Sequence, residues 1–123
     1  MEPLPDPLED RVVKDVTAPP HKPLSDDLFW NAKGKPDYKT IKKHLAQEGK
    51  IKKEHFMKLI ADTTELLKKE DNLVKVNEPV CVVGDIHGQY YDFVHLLDKA
   101  GSPKKINYIF LGAYVDRGIF SVE

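Results

Sequence analysis

The sequence predicts an α/β protein: two leading helices followed by one βαβ unit. Three observations carry this. Val80-Cys81-Val82-Val83 and Ile106-Asn107-Tyr108-Ile109-Phe110-Leu111 are short apolar runs about thirty residues apart. Between them, Tyr90, Phe93, Val94 and Leu97 recur at helical spacing, and Gly101 closes the pattern. Strand, helix and strand in that length make two parallel strands joined by a right-handed crossover.

Six of the nine prolines fall in the first 23 residues. Proline removes a backbone donor and breaks helices, so residues 1–23 read as an extended arm. Arg11 to Val16 is the only stretch of it suited to pairing or docking. Residues 24–123 read as the N-terminal portion of one domain. Asp37 suits an N-cap, Tyr38, Ile41 and Leu45 form a helical stripe, and Gly49 suits a stop. Phe56, Leu59, Ile60, Thr63, Leu66 and Leu67 define a second, stronger helix with Lys and Glu opposite. Pro79 opens the first strand, whose nearly continuous apolar character predicts burial on both faces. Gly118 to Glu123 reads as a loop entering a helix that the chain does not complete.

The composition bounds the function class. With 123 residues, 41% hydrophobic and 32% charged, the chain has the make-up of a small soluble domain. A net charge of -1 gives no global field toward nucleic acid or a membrane. No apolar run reaches the roughly 20 residues that span a bilayer. Nine lysines face three acidic residues between Lys33 and Lys58, but no arginine or interleaved aromatic supports nucleic-acid recognition, so a solvated helical face is the expected reading. One cysteine, Cys81, precludes an internal disulfide and fits a reducing, cytoplasmic setting, where it serves as a small core residue.

Both strands open into loops that carry chemistry. The first is Gly84-Asp85-Ile86-His87-Gly88, and the second is Gly112-Ala113-Tyr114-Val115-Asp116-Arg117-Gly118. The predicted topology brings both to the carboxyl edge of the sheet, where open α/β sheets place their ligands. Asp85 and His87 pair a hard carboxylate oxygen with an imidazole nitrogen, suited to Mn, Fe, Zn or Mg more than to calcium. Asp85 could equally cap the following helix. No Gly-Lys-Ser/Thr follows, so this is not a P-loop. Arg117, one of two arginines against seventeen lysines, offers a planar fork for two phosphate oxygens or for a surface ion pair. Asp116 is suited to ligating a metal, orienting a histidine or holding Arg117. His21, His44, His55 and His95 lie on the arm or on helices, where surface or packing roles are expected.

The GDIHGQYYD and FLGxYVDRG stretches, at residues 84–92 and 110–118, resemble the calcineurin-like serine/threonine protein phosphatases of the phosphoprotein phosphatase family. Within it the chain looks most like the calcineurin catalytic branch, through Asp10 to Lys14, Leu45 to Gly49 and Gly118 to Glu123. The resemblance runs from about residue 10 to residue 123. It implies a metallophosphoesterase αββα sandwich: two packed sheets with helices outside. It also implies direct hydrolysis of phosphoserine and phosphothreonine proteins by water activated at a metal pair, Fe/Zn or Mn. Residue by residue, Asp85 and His87 match ligands of the first metal. Asp116 matches the aspartate that orients a general-acid histidine, and Arg117 matches a phosphate clamp. The implied partners are phosphoprotein substrates, an EF-hand subunit like calcineurin B, and calmodulin.

One departure is internal. Ala113 stands where the family carries an aspartate bridging both metals. Two dications about 3.5–4 Å apart repel, and a shared carboxylate both ligates and neutralises them. The family's later Gly-Asn-His-Glu motif and further histidine ligands are not among these 123 residues. The expected chain is therefore a truncated phosphatase, inactive alone and holding at most one weak metal. The alternative is a catalytically dead, phosphatase-like interaction module.

Overall fold

The computed structural model describes residues 22–123, so the Arg11 to Val16 stretch, His21 and nearly all of the proposed arm lie outside it. The chain divides into two compact units, with the break between Leu67 and Lys68.

The first unit holds three helices: α1 (Asp26–Phe29), α2 (Tyr38–Ala46) and α3 (Lys53–Leu67). The four-residue α1 has no apolar repeat to announce it. Ser25 O accepts from the amides of Leu28 and Phe29, and Asp26 and Asp27 complement the positive end of the turn. Helix α2 begins as expected. The Asp37 carboxylate accepts from the Lys39 and Thr40 amides at 3.1 and 3.4 Å, satisfying two of the donors a helix start leaves open. Asp37→Ala is expected to destabilise this unit by about 1 kcal/mol, read as a shift in its denaturation midpoint.

The end of α2 corrects the expected stop. Glu48, not Gly49, takes the left-handed conformation (φ 60°). Glu48 N donates to Leu45 O and Gly49 N donates to His44 O, which closes the last turn. Gly49 is needed for a different reason: a Cβ there would overlap the His44 ring, which lies against it and donates from Nε2 to Lys50 O.

The second correction concerns α3. Its apolar stripe is not the buried face: Phe56, Ile60, Leu66 and Leu67 are all exposed. The buried residue is His55, stacked on the fully buried Phe29 at 4.2 Å between ring centres, with the Trp30 edge at 5.6 Å. The packing is concentrated at the start of α3 because the aromatic pair Phe29-Trp30 lies there. His55 Nε2 approaches Asp26 Oδ1 at 3.1 Å; a carboxylate only accepts, so Nε2 carries the proton. The Lys52 ammonium, hydrogen-bonded to the same carboxylate, holds Asp26 below the usual carboxylate range, with His55 adding to the effect.

The second unit is the predicted βαβ segment: β1 (Val80–Val83), α4 (Tyr90–Ala100) and β2 (Asn107–Phe110). The strands pair parallel, Val80 with Asn107 through Val83 with Phe110. Asn107 N donates to Pro79 O and Leu111 N to Val83 O at the two ends of the ladder. The second strand is thus shorter at both ends than its apolar run. Gly101 ends α4 at φ 107°, its amide donating to Leu97 O.

Burial on both faces of β1 does not hold. Val83 is buried, but Val82 is 58% exposed and Val80 is also exposed. Among the described residues the sheet has two strands and one helix in this unit, and one helix covers one face. Cys81 is half-buried and free. No helix begins among residues 118–123, which form bends and irregular backbone.

Tyr90 is buried beneath the first loop. Burial first, then the charge of Glu123 and neighbouring Tyr91, push its phenol from 10.0 to about 12. A raised folded-state value means the stabilisation is complete below pH 10 and is lost as pH rises toward 12. Spectrophotometric titration of the phenols, with circular dichroism alongside, is expected to show Tyr90 and Tyr108 titrating later than an ordinary phenol and unfolding of this unit in that window.

Candidate metal and phosphate site

The two chemistry-bearing loops leave the carboxyl ends of β1 and β2 and are clasped to one another by backbone bonds. Ala113 O accepts from Ile86 N at 3.0 Å and from His87 N at 2.9 Å. Gly88 N donates to Tyr114 O at 2.8 Å, and Gly118 N to His87 O at 2.8 Å. Each loop thereby satisfies backbone groups that the other would leave open.

The clasp needs unusual backbone. His87, Ala113, Asp116 and Arg117 all have positive φ, between 49° and 71°. Four side-chain-bearing residues in the left-handed region within two short loops is a concentration of strain of the kind that marks functional sites. Gly88 shares that conformation, and a Cβ on it would press on Gly118 O and Ser121 Oγ.

Asp85 and His87 are brought together: Oδ2 and Nε2 lie 3.4 Å apart. Asp85 is largely exposed and does not cap α4, whose N-cap is Gln89. His87 Nδ1 lies 2.7 Å from Val115 O. A carbonyl only accepts, so Nδ1 bears a proton, and Nε2 is the ring nitrogen that faces Asp85. A metal-binding histidine needs this outer contact to fix its tautomer and orientation. The contact comes from the second loop, and nothing in the sequence pattern announced it.

Asp116 and Arg117 sit at the same edge, one strand over, as the βαβ spacing predicted. Both side chains are exposed, and neither forms an ion pair among the described residues. Asp116 N donates to Ser121 Oγ at 3.2 Å, and Ser121 Oγ lies 3.2 Å from Gly118 O, which shapes the turn that carries Arg117. The surface ion pair that was an alternative for Arg117 is therefore not formed there. Ala113 brings a methyl group and a carbonyl already accepting two amides. Among the described residues no three His, Cys, Asp or Glu side chains converge. At this edge Asp85 and His87 are the two candidate ligands that meet, and the Ala113 side chain offers no donor.

Residues 78–123 match the family model described as calcineurin-like phosphoesterase, a stretch that contains both strands, α4 and both loops. These residues belong to the calcineurin-like phosphoesterase family. The likeness extends over most of the chain: it is 41% identical over 116 residues to serine/threonine-protein phosphatase 2B catalytic subunit A1 of Saccharomyces cerevisiae, covering 94% of this chain and 21% of that protein. Catalytic subunit A2 of the same yeast is 42% identical over 103 residues, 84% of this chain and 17% of that one. The serine/threonine-protein phosphatase 4 catalytic subunit of Candida glabrata is 45% identical over 78 residues, 63% of this chain and 25% of that one. The chain spans about a sixth to a quarter of the length of these relatives. The mixed helix-and-strand fold with its small parallel sheet agrees with the leading part of the calcineurin-like phosphoesterase fold.

His44 packs against Gly49, and His55 lies in the core of the other unit. No helix among the described residues is long and apolar enough to cross a membrane.

Proposed function

We propose that this chain carries the first-metal and phosphate-clamping share of a serine/threonine protein phosphatase site, disarmed at its bridging position. The observation that supports this most is the Asp85-His87 pair, 3.4 Å apart and locked by the His87 Nδ1 contact to Val115 O. Asp85 and His87 would hold one divalent cation, Mn or one of the Fe/Zn pair the family uses. Bound there, the cation supplies positive charge for a phosphate oxygen and acidifies water.

The chain's own residues do the rest. Arg117 offers two parallel N–H donors to phosphate oxygens from the edge of the second loop. Asp116 accepts a hydrogen bond from an imidazole and so sets that ring's orientation, the role the resemblance implies. The exposure of both side chains keeps them available to a phosphoserine or phosphothreonine on a protein surface. At position 113 a methyl group neither ligates nor neutralises a second ion, so binding and hydrolysis come apart. The proposed setting is cytoplasmic. The proposed partners are phosphoproteins and, following the phosphatase 2B relatives, a calcineurin-B-like EF-hand subunit and calmodulin.

A second reading, an interaction module without catalysis, draws on the same Ala113. A phosphopeptide pull-down separates the two: a module without a phosphate role binds phosphorylated and unphosphorylated peptide alike.

Titration calorimetry with Mn²⁺ tests the site directly. One weak binding event is expected, abolished by Asp85→Asn and by His87→Gln. A pair of tight sites in the unaltered chain, or binding unchanged by both substitutions, would overturn the assignment.

A further inference from the structure

Beside the first loop, the second unit forms a half-open pocket of about 210 Å³ that the metal and phosphate reading does not use. Five aromatic residues line it: Tyr90 and Phe93 from α4, Phe110 from β2, and Tyr114 and Phe120 from the second loop and the segment beyond. The rings brace one another at its wall. Tyr90 and Phe120 lie 6.3 Å apart, Phe93 and Phe110 5.8 Å, and Phe110 and Tyr114 6.1 Å. One ionisable carboxylate, Glu123, stands among the lining residues, and no lysine, arginine or histidine does. The hydroxyl of Ser121 is turned to the Asp116 amide and Gly118 carbonyl instead.

We propose that this cavity binds a small quaternary ammonium compound. A cavity of about 150 Å³ already admits benzene, so the volume suffices for a trimethylammonium head. Neutral apolar ligands would use the rings but leave the carboxylate unmatched. Anions would meet Glu123 and the negative faces of the rings. A methylated cation uses both features: its diffuse charge is attracted to aromatic faces, and it has no N–H donors to leave unsatisfied among them. Glu123 acts on the same space, since its charge is one of the causes that raise the Tyr90 phenol. This site is separate from Asp85, His87, Asp116 and Arg117, none of which lines the cavity.

The test compares choline with 3,3-dimethylbutan-1-ol, its neutral isostere, on the whole 123-residue chain without added metal. Binding is followed by nuclear magnetic resonance of the tyrosine and phenylalanine rings. Choline is expected to shift the Tyr90 and Phe120 signals and to bind at least about tenfold tighter than the alcohol, the effect of one favourable cation–ring contact. Glu123→Gln in a chain amidated at Glu123's main-chain carboxyl, at an exposed position where folding is not at stake, is expected to remove most of that preference. Asp85→Asn leaves choline binding unchanged, which keeps this result independent of the metal site. Equal affinity for the two compounds, shifts outside these rings, no shift with choline, or an unaltered preference in Glu123→Gln would each overturn the proposal.

Discussion

In saturating Mn²⁺, the 123-residue chain hydrolyses a phosphoserine peptide or an aryl phosphate no faster than buffer and metal alone. The expectation rests on the donor set. Asp85 and His87 meet, yet among the described residues no third carboxylate, imidazole or thiolate joins them. Catalytic zinc sites typically keep about three protein ligands, and two-metal sites need a shared group besides. Loss of a single preorganised electrostatic contact lowers turnover about 10²–10³-fold. On the proposed reading of position 113 the shared carboxylate and the second ion would be lost together, so the expected deficit exceeds that of either. On the same reading phosphate binding would depend on Arg117 and survive better than turnover: Arg117→Ala is expected to lower phosphopeptide affinity. Metal-dependent turnover above the control would show that position 113 is not the bridge.

Replacing Ala113 by Asp is expected to raise Mn²⁺ affinity by at least about tenfold, the low end of what even a supporting residue of a metal site contributes. The residue sits where a third donor is wanted, because its carbonyl is clasped between the Ile86 and His87 amides. The backbone also suits the change. Ala113 has φ 54°, a conformation that disfavours alanine by about 1–2 kcal/mol and that Asp and Asn adopt more readily. Ala113→Asn therefore separates two effects. Asn and Asp are both expected to stabilise the second unit modestly, whereas Asp alone brings the charge that draws in a cation. Calorimetry beside thermal unfolding reads both. If Asn raises Mn²⁺ affinity as much as Asp, the gain comes from the backbone and not from a ligand.

The βαβ segment was legible because two signals agreed. Val80–Val83 and the run around Asn107–Phe110 are too short and too β-branched or aromatic for helices, and the stretch between them has helical period. Parallel pairing then followed from the spacing, and with it the meeting of the two loops. Less was legible where structure depends on distant partners. Phe56 and Ile60 have the apolar character of a core stripe, yet the core is built on His55, a residue type that composition assigns to a surface. Its place is set by Phe29 and Trp30, some 25 residues away in sequence, and no local periodicity encodes that. The exposure of Val82 was hidden for a related reason: an apolar residue shows only a preference for burial, not which element supplies the cover. In the site, residue types were readable, but the left-handed backbone at His87, Asp116 and Arg117 was not, since none of these positions carries glycine.

The clasp between the loops is made of main-chain atoms, which every residue type but proline supplies. Its bonds at Ile86, His87, Gly88 and Gly118 do not depend on the side chain that position 113 carries. A lineage that drops the carboxylate there keeps the frame that would receive it. Selection for folding alone would not oppose such a loss. On the proposed reading the way back is correspondingly short, because Ala113→Asp alone places a carboxylate on a frame whose main-chain bonds do not depend on it.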